Sequence, residues 1–354
     1  MKQLILFALC LLIIACQDPF LIGNEYTQSE LISTISKGRK CVWIGSETGA
    51  IFAFDPETER FTSPQWIETE RIYAITEVAD SLLLVGIRNE GLKLITFDQG
   101  ILKTIKSYQI EKGDRFSPYS FIVKQGPAGI DTLLCASSNG LFYTVFLRNK
   151  LLQPEIVQLT SLYPSKGQSP DYKFYSVVEN RESGELFTAG NKGLLRIKGL
   201  TPLQIEIVKG EVFSHLSYSD NVTYALSEQG ELYGGNEMSH LIFSFTTSPV
   251  LCYYDACKFW GFSENKVEIC HSMGGSRTYR LTHPLSVGKN NPRGRGAVAM
   301  DENFFYVATG RALQRFPRGT YPTEKQRITS LCKNEDGHTV YACLLYTSPS
   351  PRDS

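Results

Sequence analysis

The chain has 354 residues, 42% of them hydrophobic, and its 36 lysines and arginines balance 36 aspartates and glutamates. Zero net charge supplies no field to steer the folded region onto nucleic acid or an anionic membrane, so nucleic acid is not expected as a partner. The length allows two ordinary domains or one large all-β ring, and the apolar content suffices for a substantial core.

Lys2 precedes an apolar run from Leu4 to Ile14, too short to cross a bilayer comfortably but suited to the core of an export signal. Residues 1–15 are therefore expected to be a signal peptide, and the mature chain to be extracytoplasmic, in the periplasm or at the cell surface. Ile13-Ile14-Ala15-Cys16 resembles a bacterial lipobox, in which a small residue precedes a cysteine that is acylated and becomes the first mature residue. Cys16 is the candidate lipidation site; Cys10, behind the bulky Leu9, is not. The alternative is ordinary cleavage near Ala15, with Cys16 incidental. Residues 16–37 are expected to be an N-terminal linker, with Tyr26 to Ser36 either a short helix or a lead-in strand.

From residue 42 a glycine-turned hairpin recurs. Its clearest copy runs from Val42 to Pro56: an apolar strand, a turn at Gly49, and a second strand closed by Asp55-Pro56. Weaker copies turn at Gly91, Gly140, Gly193, Gly230 and Gly310, and the long last interval becomes two ordinary steps if Phe259 to Ile269 is a degenerate copy. Each hairpin follows another strand-like segment, such as Ile72 to Val78 or Tyr175 to Val178, with β-branched and aromatic residues bounded by Asp, Asn and Gly. A period of roughly forty residues built from short strands predicts radial blades. The expected fold is an all-β β-propeller over residues 38–342, with about seven blades of mostly four antiparallel strands and a last blade that could be truncated. Gly45, Gly86, Ala136, Ala189 and Ala308 fill one small-residue slot, expected on inner or second strands packed against the neighbouring blade. Trp43 is expected to be buried between its own blade and the next.

Val42-Trp43-Ile44-Gly45-Ser46-Glu47-Thr48-Gly49 followed by Phe54-Asp55-Pro56 and Phe61 resembles the repeat of the two-component regulator propellers, whose blades read Asp-Gly-x-Leu-Trp-Ile-Gly-Thr-x-x-Gly-Leu-x-x-Tyr-Asp. The later copies keep the glycine and the apolar frame but lose the Trp and the Asp. The resemblance implies the periplasmic sensor region of Bacteroidetes-type hybrid two-component systems. It also implies an unidentified small-molecule, glycan or protein ligand.

No other propeller signature stands out. The doublets Gly234-Gly235 and Gly274-Gly275 are too few for kelch blades, sialidase-type Asp boxes and repeated Trp-Asp pairs are absent, and so is a phosphate-binding Gly loop. His215 and His271 lie in strand-like contexts as structural residues, and Asp55, Asp98 and Asp301 as turn acids. Cys41, Cys135 and Cys332 occupy apolar strand positions, and Cys252 with Cys257 could form a local disulfide. The histidines do not cluster with these cysteines, so no metal site, cofactor or catalytic residue is assigned and no enzymatic activity is expected. Lys289 to Gly296 reads as a solvated basic loop.

Two functions follow: the sensor part of a regulatory protein, or a free-standing surface lipoprotein with an adhesive or glycan-binding propeller; a propeller lyase or glycosidase is a weaker third. Cys343 to Asp353 resembles one reading frame of a transposase adaptor used to build sequencing libraries, so 343–354 is expected to be a non-native tail packing against nothing. Membrane attachment is then expected through Cys16 or through a helix in a missing downstream part.

Overall fold

The computed structural model describes residues 23–318, apart from breaks at 99–100, 111–114, 154, 164–171, 201–202, 220, 236–237, 239, 256, 273 and 287–295, together with the strands Ile328–Lys333 and Val340–Leu344. Cys16 and the signal segment lie outside the described residues, as does most of the basic loop 289–296. The chain divides into two compact units, 1–319 and 320–354.

The first unit is a seven-bladed β-propeller. Blades 1 to 6 span 32–66, 72–110, 118–163, 174–209, 213–244 and 251–280, each a meander of antiparallel strands, here called A to D from the axis outward. Blade 7 takes strands A to C from Val298–Met300, Phe304–Thr309 and Ala312–Pro317. Its strand D is Asn24–Thr27, which pairs antiparallel with Ala312–Pro317 in the register Thr27 to Ala312 and Asn24 to Arg315. The last blade is thus whole, because the start of the chain completes it.

Two expectations are corrected here. Within the expected linker 16–37, Asn24–Thr27 closes blade 7 and Ile32–Lys37 is strand A of blade 1, so these residues belong to the ring. Tyr26 to Ser36 holds two strands and no helix, since its Ile, Thr and Ser residues find partners in Val42–Ser46 with Ile35 opposite Ile44. The ring is also complete by Pro317 rather than at 342. In the second unit, Ile328–Lys333 pairs with Val340–Leu344, with Cys343 opposite Ser330 and Leu344 opposite Ile328, so the first two residues of the expected tail continue a strand.

The six glycines all sit at the turn between strands B and C, in blades 1 to 5 and 7, with φ between 64° and 136°. That left-handed region is open to glycine and strained for other residues. At Gly49 a side chain would in addition meet the Glu68 carbonyl at 2.3 Å. Blade 6 makes the same turn without glycine, between Lys258–Phe262 and Lys266–His271, which identifies 259–269 as the degenerate copy.

Seven apolar clusters occupy the seven blade interfaces, so the core is a ring of seams. Trp43, 4% exposed, lies in the seam between blades 1 and 2 with Ile72, Val85 and Ile95. Its ring meets Phe97 edge-on at 5.1 Å, and its Nε1 donates to Glu77 at 3.0 Å. The small-residue slot lies on strand B throughout. A side chain on Gly45 would strike Ile72 of blade 2, and one on Gly86 would strike Pro118 of blade 3. Blades 2 and 3 are further joined at their rim, where 106–110 and 155–159 pair in parallel.

Candidate functional site

Strand A of blades 1 to 5 carries a one-residue bulge at its start, at Ser33, Tyr73, Tyr119, Tyr175 and Ser214. A bulge re-aims the side chain it carries. Tyr73, Tyr119 and Tyr175 accordingly form a row across three blades, with ring centroids 5.1 and 6.3 Å apart. The residue after the bulge ties its blade to the next: Ser120 Oγ accepts from Val177 N at 3.2 Å, Ser176 Oγ from Leu216 N at 3.3 Å, and His215 Nδ1 from Cys252 N at 3.4 Å. His215 is therefore structural. Tyr73 and Tyr119 also line an axial cavity of about 230 Å³, together with Thr34, Phe121, Tyr253 and Met300.

Two larger pockets, each of about 850 Å³, lie at opposite faces of the ring. The face bearing the A–B turns has a groove under blades 1 and 2 in which several polar groups are paired. Arg39 bonds Asp80 through exposed side chains, its backbone N donates to Glu77 at 2.8 Å, and Glu77 also receives Trp43. Asp55 accepts from Thr58 Oγ1 at 2.8 Å and from Glu57 N at 2.9 Å, and these bonds hold its carboxyl below the usual range. Asp301, at the same face, accepts from Phe304 N at 2.7 Å and Tyr306 Oη at 2.7 Å. Both are turn acids.

The face bearing the B–C turns has a pocket at the seam where the ring closes, between blades 7 and 1. Leu31, Ile32 and Glu47 form one wall, Thr309 to Ala312 and His283 to Ser286 another, and Arg71 reaches it from the residue preceding strand A of blade 2. Ser286 Oγ accepts from Gly310 N at 2.9 Å and shapes that wall. The Arg71 side chain is only 4% exposed. Its Nη1 lies 3.3 Å from Glu47 Oε1, its guanidinium carbon 5.3 Å over the Tyr73 ring, and its Nε and Nη2 have no partner. Burial holds Arg71 below its ordinary pKa although Glu47 acts the other way, and burial likewise raises Glu47 against the pull of Arg71 and Arg88. Thr309 Oγ1 is also buried without a partner.

Sequence reasoning singled out neither Arg71 nor Thr309. The available signal was slight: an arginine directly before the alternating Ile72-Tyr73-Ala74-Ile75. The residues it did weigh fall elsewhere. His271 sits at the end of strand C in blade 6, with its pKa lowered by burial and by Lys258 and Arg277. Cys135 is buried and its thiol pushed up, Cys41 is half-buried and pushed to about 12 chiefly by burial, and Cys252 and Cys257 are both free, one buried and one exposed. Among the described residues no three His, Cys, Asp or Glu side chains gather as a metal ion would need, and no helix is long and apolar enough to cross a membrane.

No family model and no curated protein matches the chain. Among solved structures it is similar to the extracellular domain of BT4673 from B. thetaiotaomicron, described as a one-component system, at 16% identity and a TM-score of 0.61, covering 94% of this chain and 45% of that one. A second structure of that domain, described as part of a hybrid two-component system, matches at 14% identity and a TM-score of 0.58, over 89% of this chain and 40% of that one. The chain therefore spans less than half the length of these neighbours. The β-propeller domain of Cps50 (Swd1) from Myceliophteria thermophila matches at 10% identity and a TM-score of 0.60, over 84% of this chain and 99% of that domain. At these identities the likeness establishes the fold alone, a β-propeller.

Proposed function

We propose that this chain is the extracytoplasmic ligand-binding propeller of a two-component type regulator, which binds its ligand without catalysing a reaction. The observation that carries this reading is the pocket at the closing seam. It has the volume of a small-molecule site, lies on a rigid ring, and combines apolar walls with a few buried polar groups. It also lies where blades 7 and 1 meet, so a ligand there would bear on the joint between the two ends of the ring. The similarity to the BT4673 extracellular domain supports the signalling role. Export by the leading segment and acylation at Cys16 accord with a membrane-attached protein.

Deleting the gene in its native host and comparing transcripts during growth on a panel of carbohydrates tests this reading. A sensor loses the induction of a defined gene set on at least one substrate. Unchanged transcripts on every substrate, with loss of cell adhesion to one of them, would overturn it in favour of an adhesive surface lipoprotein.

A further inference from the structure

We infer that the seam pocket recognises an oxyanion, a carboxylate, sulfate or phosphate group on a small ligand, held by Arg71 together with Thr309. This deepens the ligand-binding reading above and rests on the same pocket.

The polar lining is unevenly committed. Its two acids already have partners: Glu47 faces Arg71 Nη1, while Glu25 accepts from Gln314 Nε2 at 2.9 Å and lies 3.5 Å from His283 Nε2. The donors are not used up. Arg71 Nε and Nη2 are unpartnered, Thr309 Oγ1 is unpartnered, and Arg311 adds a further cation to the wall. A buried donor without an acceptor is destabilising, and more so when it is charged. Such an arrangement in a pocket wall suits a ligand that brings acceptors and negative charge.

The guanidinium makes the ligand class narrower. Nε and Nη2 form one edge of its planar fork, matched in spacing to the two oxygens of a carboxylate, sulfate or phosphate. Glu47 occupies Nη1 and leaves that edge without a partner, and the Tyr73 ring lies 5.3 Å from the guanidinium carbon. Low exposure of the Arg71 side chain keeps water from competing, so an ion pair formed there would be stronger than one at the rim. A neutral ligand would leave the charged edge unmatched. Arg71 belongs to blade 2 and Thr309 to blade 7, so one oxyanion held by both would bridge across blade 1 at the point of ring closure.

Isothermal titration calorimetry and thermal denaturation of the whole protein at constant ionic strength test the inference. The probes are sodium sulfate, sodium phosphate, sodium acetate, D-glucuronate, glucose 6-sulfate, glucose 6-phosphate and, as the neutral control, D-glucose. We expect at least one anionic probe to bind in the millimolar range or tighter and to raise Tm, while D-glucose does neither; the tightest anion separates the three oxyanion classes. Arg71→Met should weaken that binding at least tenfold, Arg71→Lys by less, and Thr309→Val by a few fold. Arg39→Met, at the opposite face, should leave it unchanged. Circular dichroism of each variant separates lost binding from lost folding, and Arg71→Lys serves if Arg71→Met does not fold. Binding that survives Arg71→Met, equal binding of D-glucose, or no anion binding to the parent protein overturns the inference. Should anions fail to bind while the deletion strain still loses carbohydrate-induced transcripts, the sensor reading stands and the oxyanion falls. Anion binding at Arg71 with unchanged transcripts gives the reverse.

Discussion

The two faces of the ring hold pockets of the same size, and two equally buried charges, one toward each face, are met by the fold in different ways. On the A–B face a buried acid, Asp131, is fully met: Arg148 Nε and Nη2 donate to its two oxygens at 2.8 and 2.6 Å, and Gly126 N lies 3.3 Å away. On the B–C face a buried base, Arg71, is as deeply enclosed, yet among the described residues its ionic partner is Glu47 alone, at 3.3 Å, and two of its nitrogens have none. Asp131 and Arg71 are each 3% exposed, so depth does not separate them. What separates them is whether the fold supplies partners. A buried charge that the fold satisfies holds a structure together, whereas one left half-satisfied at a pocket wall marks a place for something else to bind.

The largest expected effect lies under the A–B face. Trp43→Ala removes a buried indole from the seam between blades 1 and 2 and should cost about 3–5 kcal/mol, read as a large fall in the denaturant midpoint. A melting curve that did not move would mean that the groove above Trp43 is soft and the comparison of faces mistaken. Gly49→Ala comes next, on the B–C face: φ of 82° and the Glu68 carbonyl at 2.3 Å leave no room for a methyl group. The backbone conformation by itself should cost about 1–3 kcal/mol, measurable by urea titration.

A smaller effect should appear in acid. Asp131 is held below the ordinary aspartate value first by the Arg148 hydrogen bonds, with burial opposing and the Gly126 amide assisting. Its folded pKa is depressed, so its stabilisation is present above the unfolded value and is lost as pH falls through the folded one. Arg148→Ala should therefore move the acid-unfolding midpoint to higher pH, followed by intrinsic fluorescence. An acid limb that stayed in place would show that Asp131 draws nothing from the pair. Smallest of all, Arg39→Ala breaks an ion pair whose side chains are 60% and 84% exposed, and Tm should reflect a change of less than about 1 kcal/mol. A change as large as that of Gly49→Ala would show that the groove is more tightly tied together than its exposure implies.

Much of the architecture was readable in residue order because the signals are local. A B–C turn needs positive φ wherever it falls, so Gly49, Gly91, Gly140, Gly193, Gly230 and Gly310 announce themselves without reference to the rest of the chain. Trp43 and the small residues of strand B were equally legible, since alternation along one strand states which positions face a neighbour. The turn acids Asp55 and Asp301 act on amides two or three residues away and could be read from their own neighbourhoods.

The seam was not readable in that way. Asn24–Thr27 has the look of a lead-in, and only its pairing with Ala312–Pro317 makes it the strand that closes the ring. The bulges that turn Tyr73, Tyr119 and Tyr175 into one row are set by register against strand B, which residue order does not state. Arg71 becomes distinctive through Glu47, Tyr73 and Thr309, contributed by three different blades. The sequence by itself determined the repeat, its turns and the inward face of each strand, because these depend on backbone preferences and alternation within a few residues. Tertiary structure alone decided how the ring closes and which buried donors are left without acceptors, because both depend on partners brought together across the whole chain.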